Sequence, residues 1–241
     1  MAALGANYVN LSHPGLFTER PLYVLDEQVQ ANLDGLIEMA AQADLFVVIT
    51  FRTGPGRSDF TFYRDGAGNW FDQDLLIENV WTDQEAQDAW VEMWRYTAER
   101  YRDNPVVVGY DLMCEPNSND VALGFYNPED FYPKYAGSTY DWNQFYPRIV
   151  AGIREMDSDT PVLVNAMSWG GVRWLPYLKP TDDPRIVYTA HQYEPQSGYT
   201  HQEPPPAVNT YPGNFDLNWD GEPDLFDRAW LEDFLSILAD F

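Results

Sequence analysis

The stretch "VVVGYDLMCEPN", residues 106–117, decides how this chain is read. Its apolar run has the length and composition of a buried strand. It gives way to the only cysteine of the chain, Cys114, and then to Glu115 and Pro116. A carboxylate leaving the C-terminal end of a parallel strand stands where α/β proteins place their chemistry. A loop glutamate that only forms a salt bridge would look the same, so the surrounding pattern has to decide.

That pattern is a strand-then-helix alternation. "ANYVNL" is followed by a helix over about 26–43, with Val29, Leu33, Leu36, Ile37 and Ala40 on one face. "DLFVVITF" (44–51) is a second strand. Thr82 and Glu85 then have the spacing of a capping box, and Ala86, Trp90, Met93, Thr97 and Tyr101 form the buried stripe of the helix it would start. After the 106–117 strand comes a helix near 140–156, carrying Phe145, Ile149, Ile153 and Met156, with Pro147 as a possible kink or shifted start. "TPVLVNA" and "RIVYTAH" are the fourth and fifth strands. A last helix is predicted over about 224–240, presenting Phe226, Trp230, Phe234, Ile237 and Phe241. Helices between strands imply parallel strands, hence an α/β barrel or a doubly wound sheet. Loops 52–81, 114–139 and 192–223 all follow strand C-termini, the functional edge in both architectures.

Composition narrows the partners. The 241 residues suit one sizeable core, and 16% aromatic content argues against disorder. Thirty-eight acidic against 14 basic residues give a net charge of −24, which repels nucleic acid and anionic lipid. No window is apolar enough to span a membrane. One cysteine allows no internal disulfide, and "MAALGANYVN" has no signal-peptide pattern.

Three groups could carry chemistry. Glu115 is the first. In "TAHQYEP" (189–195), His191 and Tyr193 lie two apart and point to one side of a strand end, where they can orient a carboxylate and bind hydroxyls; a packed core pair is the alternative. Trp169 and the loop aromatics Phe60, Phe62, Trp70, Phe71 and Trp81 suit stacking on sugar faces, or a small core holding the loop. "RTGPGRSDF" (52–60) reads as a turn, because no GK[ST] or helix start follows for a phosphate loop. His13, His191 and His201 fall in different loops without a metal-ligand pair. A Cys114–His191 nucleophile is disfavoured, because "LMCEP" lacks a Gly-flanked turn.

Together these residues resemble glycoside hydrolase family 5, the clan A (β/α)8 barrels that include endoglucanases and mannanases. "GYDLMCEPN" resembles the family's fourth-strand "DLMNEP" motif, "HQYEPQSGYTHQ" its sixth-strand His-x-Tyr region, and "IREMDSDTPVLVNAMSWGG" its helix-four to strand-five passage. The resemblance implies an α/β partial TIM barrel, strands two to six with their helices, as one incomplete catalytic domain over 1–241. It implies a retaining endo-β-glycosidase of a cellulose- or mannan-like β-1,4-linked polysaccharide, secreted, with no metal or organic cofactor. Glu115 is then the general acid/base, assisted by His191 and Tyr193. Cys114 stands where the family has an asparagine that reads the sugar 2-hydroxyl. Asn10 and Arg52 are the nearest matches to the family's strand-two arginine and strand-three histidine, and with Trp169 they complete the expected substrate contacts. The nucleophile is expected beyond Phe241, Glu194 being the least poor substitute among Glu194, Glu203, Glu222 and Glu232, so the isolated chain is expected to be inactive or weak. The alternative is a non-catalytic carbohydrate-binding or vestigial barrel fragment.

Overall fold

The computed structural model describes residues 2–195, 210–217 and 221–241. Five parallel strands form one sheet: β1 (Tyr8–His13), β2 (Phe46–Phe51), β3 (Val107–Asp111), β4 (Val162–Asn165) and β5 (Ile186–Thr189). Their spatial order is β1-β2-β3-β4-β5. A doubly wound sheet reverses direction at a switch point, whereas barrel staves follow chain order. The sheet is therefore five consecutive staves of a (β/α)8 barrel. Paired positions include Ser12 with Thr50, Thr50 with Asp111, and Asn165 with Thr189.

Helices α1 (Glu27–Gln42) and α2 (Gln84–Tyr101) follow β1 and β2. The connection after β3 holds α3 (Ser118–Val121), α4 (Pro128–Tyr135) and α5 (Trp142–Met156). After β4 comes the short turn α6 (Met167–Gly170), then a 3₁₀ helix, Val172–Tyr177, so this crossover has no full α-helix. A hairpin, β6 (Gly213–Phe215) with β7 (Asp224–Phe226), precedes α7 (Arg228–Asp240). The final helix thus starts later than its periodicity suggests. Phe226 belongs to β7, where it packs on Phe215 and on Trp230 of α7. Most of the proline-rich loop, 201–209, lies outside the described residues, and its end, Gly213, enters β6.

Each long helix begins on an aspartate whose carboxylate accepts backbone N–H groups: Asp26 from Gln28 and Val29, Asp83 from Glu85, Asp141 from Asn143, Asp227 from Trp230. Each such cap stabilises its helix by about 1 kcal/mol and places negative charge at the positive end of the dipole. The cap of α2 is therefore Asp83 and not Thr82, whose hydroxyl donates to Asn79 O instead. Helix α5 runs through Pro147 without a break.

The core is aromatic. Trp81, Trp90, Trp94 and Trp142 are at most 1% exposed. Three of their indoles act as pegs: Trp90 donates to Pro55 O (2.7 Å), Trp94 to Leu112 O (2.8 Å) and Trp142 to Asn165 O (3.0 Å). Each peg ties a helix of the outer layer to a strand end or the loop above it. The predicted α2 stripe, Ala86, Trp90, Met93, Thr97 and Tyr101, is buried throughout.

Candidate active site

A row of polar side chains crosses the sheet below its C-terminal rim, one from each of four adjacent strands. The Thr50 hydroxyl contacts Asn10 Oδ1 and lies 3.1 Å from Asp111 Oδ2, while Asn165 Nδ2 donates to Asp111 Oδ1 at 2.7 Å. Barrel interiors are usually filled by branched apolar residues at such positions. Burial pushes the Asp111 carboxyl up to about 6, against the hydrogen bond from Thr50 and the attraction of His191.

Above this row the chain leaves β3 through Leu112, Met113 and Cys114, and the Cys114 N–H donates to Phe51 O (2.9 Å), extending the bond to the β2 edge. Glu115 then turns into the left-handed region, φ +55°. A non-glycine residue rarely takes this conformation without support from its surroundings. The turn brings Glu115 Oε1 to 2.7 Å from His191 Nδ1. The Glu115 hydrogen bond is the largest influence on His191 and holds its imidazole above the ordinary histidine range, against burial. The two residues come from staves separated by β4. Gly170, at φ +76°, makes the approach possible: its carbonyl accepts the His191 N–H (2.7 Å), and a Cβ there would stand 3.0 Å from the His191 ring. Tyr193 lies beside the pair, its ring 6.1 Å from that of His191 and 45% exposed.

The other expected site residues divide. Arg52 sits at the rim, ion-paired to Asp59 (2.8 Å) and stacked over Phe62 at 4.2 Å. Trp169 is half-buried at φ +62°; its backbone N–H donates to Pro116 O and its indole to Asp120 Oδ2 (2.9 Å), and its edge meets Phe62. Both therefore adjoin the Glu115 turn. Asn10 belongs to the deeper polar row, paired in register with Val48, and is not brought to the rim with Glu115. Burial pushes the Cys114 thiol up to about 11, so it is a neutral S–H and not a thiolate, while His191 Nδ1 is occupied by Glu115. Of the loop aromatics, Trp81 joins the core against Trp142 and Phe145; Phe60, Trp70 and Phe71 pack together, with Trp70 61% exposed.

Among the four alternative glutamates, Glu194 accepts the Tyr193 backbone N–H through Oε2, and Glu232 pairs with Arg228 on the surface of α7. Glu203 and His201 lie outside the described residues. His13 ends β1, its ring on Pro14 O and Asn32 Oδ1, and among the described residues no cluster of metal-ligating side chains occurs.

Three residues of this region escaped the sequence reading: Asp111, Asp120 and Arg57. Asp111 had a signal: it is a carboxylate within an otherwise apolar strand run.

Staves in chain order, with a carboxylate and an imidazole meeting at their C-terminal rim, have the layout of a TIM-barrel hydrolase. The chain belongs to the cellulase family, glycosyl hydrolase family 5, whose model matches residues 1–222. It is 24% identical over 205 residues to endoglucanase C of Acetivibrio thermocellus, covering 84% of this chain and 50% of that protein. The chain thus spans about half the length of the curated relatives it matches. A crystal structure of a glycoside hydrolase superposes over 99% of this chain and 65% of its own, with a TM-score of 0.65 and 18% identity. Thermotoga maritima Cel5A in complex with cellobiose superposes over 81% of this chain and 52% of its own, with a TM-score of 0.57 and 20% identity.

Proposed function

We propose that this chain carries the acid/base half of a retaining endo-β-glycosidase acting on a β-1,4-linked polysaccharide of the cellulose or mannan type. The observation that supports this reading best is the Glu115–His191 pair at 2.7 Å on the barrel rim. Glu115 is the proton donor to the departing glycosidic oxygen and later the base that activates water. His191 orients that carboxyl, and Tyr193 offers a phenol to the substrate or to the developing charge. Trp169 supplies a stacking face, Arg52 a charged donor, and Cys114 a weak S–H donor in place of an amide. No part of this scheme calls for a metal or an organic cofactor. Breakdown of a polymer too large to enter a cell suits an extracellular enzyme.

Retention requires a second carboxylate about 5 Å from the first. Glu194 Oε2 accepts the Tyr193 backbone N–H, and under this reading the second carboxylate is expected beyond Phe241. The second reading is a protein that binds glycan without cleaving it. Reducing-sugar release from carboxymethylcellulose and from mannan, for the chain and for Glu115→Gln, separates the two. Release that disappears in the variant supports the glycosidase. Oligosaccharide binding by calorimetry, with no release from either protein, supports the binder, and neither binding nor release rejects both readings.

A further inference from the structure

Arg57 is a buried cation whose purpose the sequence does not disclose. It closes the "GPGR" turn (54–57), a segment fixed at every residue. Gly54 and Arg57 exchange backbone hydrogen bonds at 3.0 and 2.9 Å, Pro55 O takes the Trp90 indole, and Gly56, at φ +70°, bonds Glu19 O and the Val80 N–H. A Cβ at Gly56 would stand 2.8 Å from Val80 N, so glycine is required there. The turn delivers a guanidinium that is 1% exposed and packed 5.2 Å from the Phe62 ring centre.

Among the described residues this guanidinium makes one hydrogen bond: Nη2 donates to the backbone oxygen of Glu115 at 3.0 Å. Its Nε and Nη1 are buried without a partner among the described residues. Burial lowers the group to about 10, so it is still charged at neutral pH, with Cys114, Glu115 and Glu78 as the acidic groups around it and Arg52 as the neighbouring cation. A charged donor in a dry site is a strong anchor for the one carbonyl it reaches. That carbonyl belongs to the residue held at φ +55°, the turn that directs the Glu115 carboxyl to His191.

We infer that Arg57 is the positioning residue of Glu115, holding its carbonyl so that the left-handed turn persists and the carboxyl meets His191. Its importance for turnover rests on the reading of Glu115 as acid/base; the positioning itself does not. Arg57 touches neither substrate nor reacting atoms in this role.

The test is the NMR titration of the His191 ring, assigned by comparison with His191→Gln. The groups facing His191 are Glu115, Asp111 and the Tyr193 ring, and Glu115 is the main reason its midpoint is raised. Arg57→Lys keeps the cation, but its ammonium stops short of the Nη2 position, so the bond to the carbonyl is lost. The His191 midpoint is expected to fall toward that of Glu115→Gln. Arg57→Met should lower it as well. If Arg57 acted only through its charge, Arg57→Lys would leave the midpoint in place and Arg57→Met would raise it, because removing a nearby cation favours imidazolium. An unchanged or raised midpoint in the folded Arg57→Lys protein overturns the inference, whatever Arg57→Met does. If the midpoint falls but Glu115→Gln retains full hydrolytic activity, the positioning stands and the acid/base reading fails.

Discussion

Glu115 Oε1 and His191 Nδ1 meet at 2.7 Å across a stave that contributes neither of them. Between them runs the β4 turn, where Gly170 leaves room for the imidazole. The pair raises the His191 midpoint above its ordinary 6.5. Its stabilisation is therefore complete below the unfolded value and disappears as pH rises through the folded one. Glu115→Gln should flatten the fall in stability above pH about 6.5, measured by urea unfolding at stepped pH. An unaltered slope in the variant contradicts the pairing.

Gly170→Ala should disturb the same contact from behind. The residue is at φ +76° and its Cβ would press on the His191 ring at 3.0 Å. The expected cost is about 1–2 kcal/mol from the left-handed backbone alone, with a lowered His191 midpoint. A variant as stable as the parent would show that the turn can relax.

Asp111→Asn should change how stability depends on acid. The buried carboxyl titrates near 6 in the fold against 3.8 for the free group. The native state therefore binds more protons in this interval, and its stability falls as pH rises from about 4 to 6, by roughly 3 kcal/mol at 1.4 kcal/mol per unit. The neutral asparagine should remove that part of the slope. Unfolding curves at pH 4, 5 and 6 check it.

Trp94→Phe should cost about 1–3 kcal/mol, because it leaves the Leu112 carbonyl without its 2.8 Å donor in a dry place. The ring contact with Phe51, centroids 4.5 Å apart, can largely be kept by phenylalanine. Trp94→Ala should cost about 3–5 kcal/mol through the added cavity. Chemical denaturation that ranks the two the other way would remove the peg from the account.

Cys114 should resist alkylation. With its thiol raised to about 11, iodoacetamide at pH 8 should label it far more slowly than glutathione, and labelling should accelerate only on approach to the raised value. Intact-mass kinetics show this directly. Under the glycosidase reading, in a chain extended to carry the nucleophile, Cys114→Asn should raise kcat/KM several-fold, since one restored hydrogen bond is worth about 1 kcal/mol.

Much of the fold was legible because apolar periodicity is a property of neighbours in sequence. The α2 stripe from Ala86 to Tyr101 and the five strands follow from it. The failures lie where periodicity is shared by two structures or where a contact is non-local. Phe226, Trp230 and Phe234 have helical spacing, yet the first pairs in a hairpin whose partner strand is marked only by "PGNF". Thr82 and Glu85 satisfy a capping box, but the Asp83 carboxylate reaches the N-terminal amide of the helix first. In the site, strand-end position marked Glu115, His191 and Tyr193 as candidates, and the resemblance of their motifs singled them out; spacing alone left a packed His191–Tyr193 pair as the alternative. Arg57 looked like one more turn residue, because its partner is a backbone oxygen 58 positions away that no motif records.

The three indole pegs have a consequence for how such a protein can diverge. Pro55, Leu112 and Asn165 are pinned from outside the barrel, so the path of each rim loop is fixed at its root by a helix of the outer layer. Beyond the roots, mostly exposed stretches such as 67–70 and 122–124 can vary with less effect on the strand ends. Under the glycosidase reading, specificity would be rewritten in those stretches, while a change at Trp90, Trp94 or Trp142 would shift the root of a rim loop.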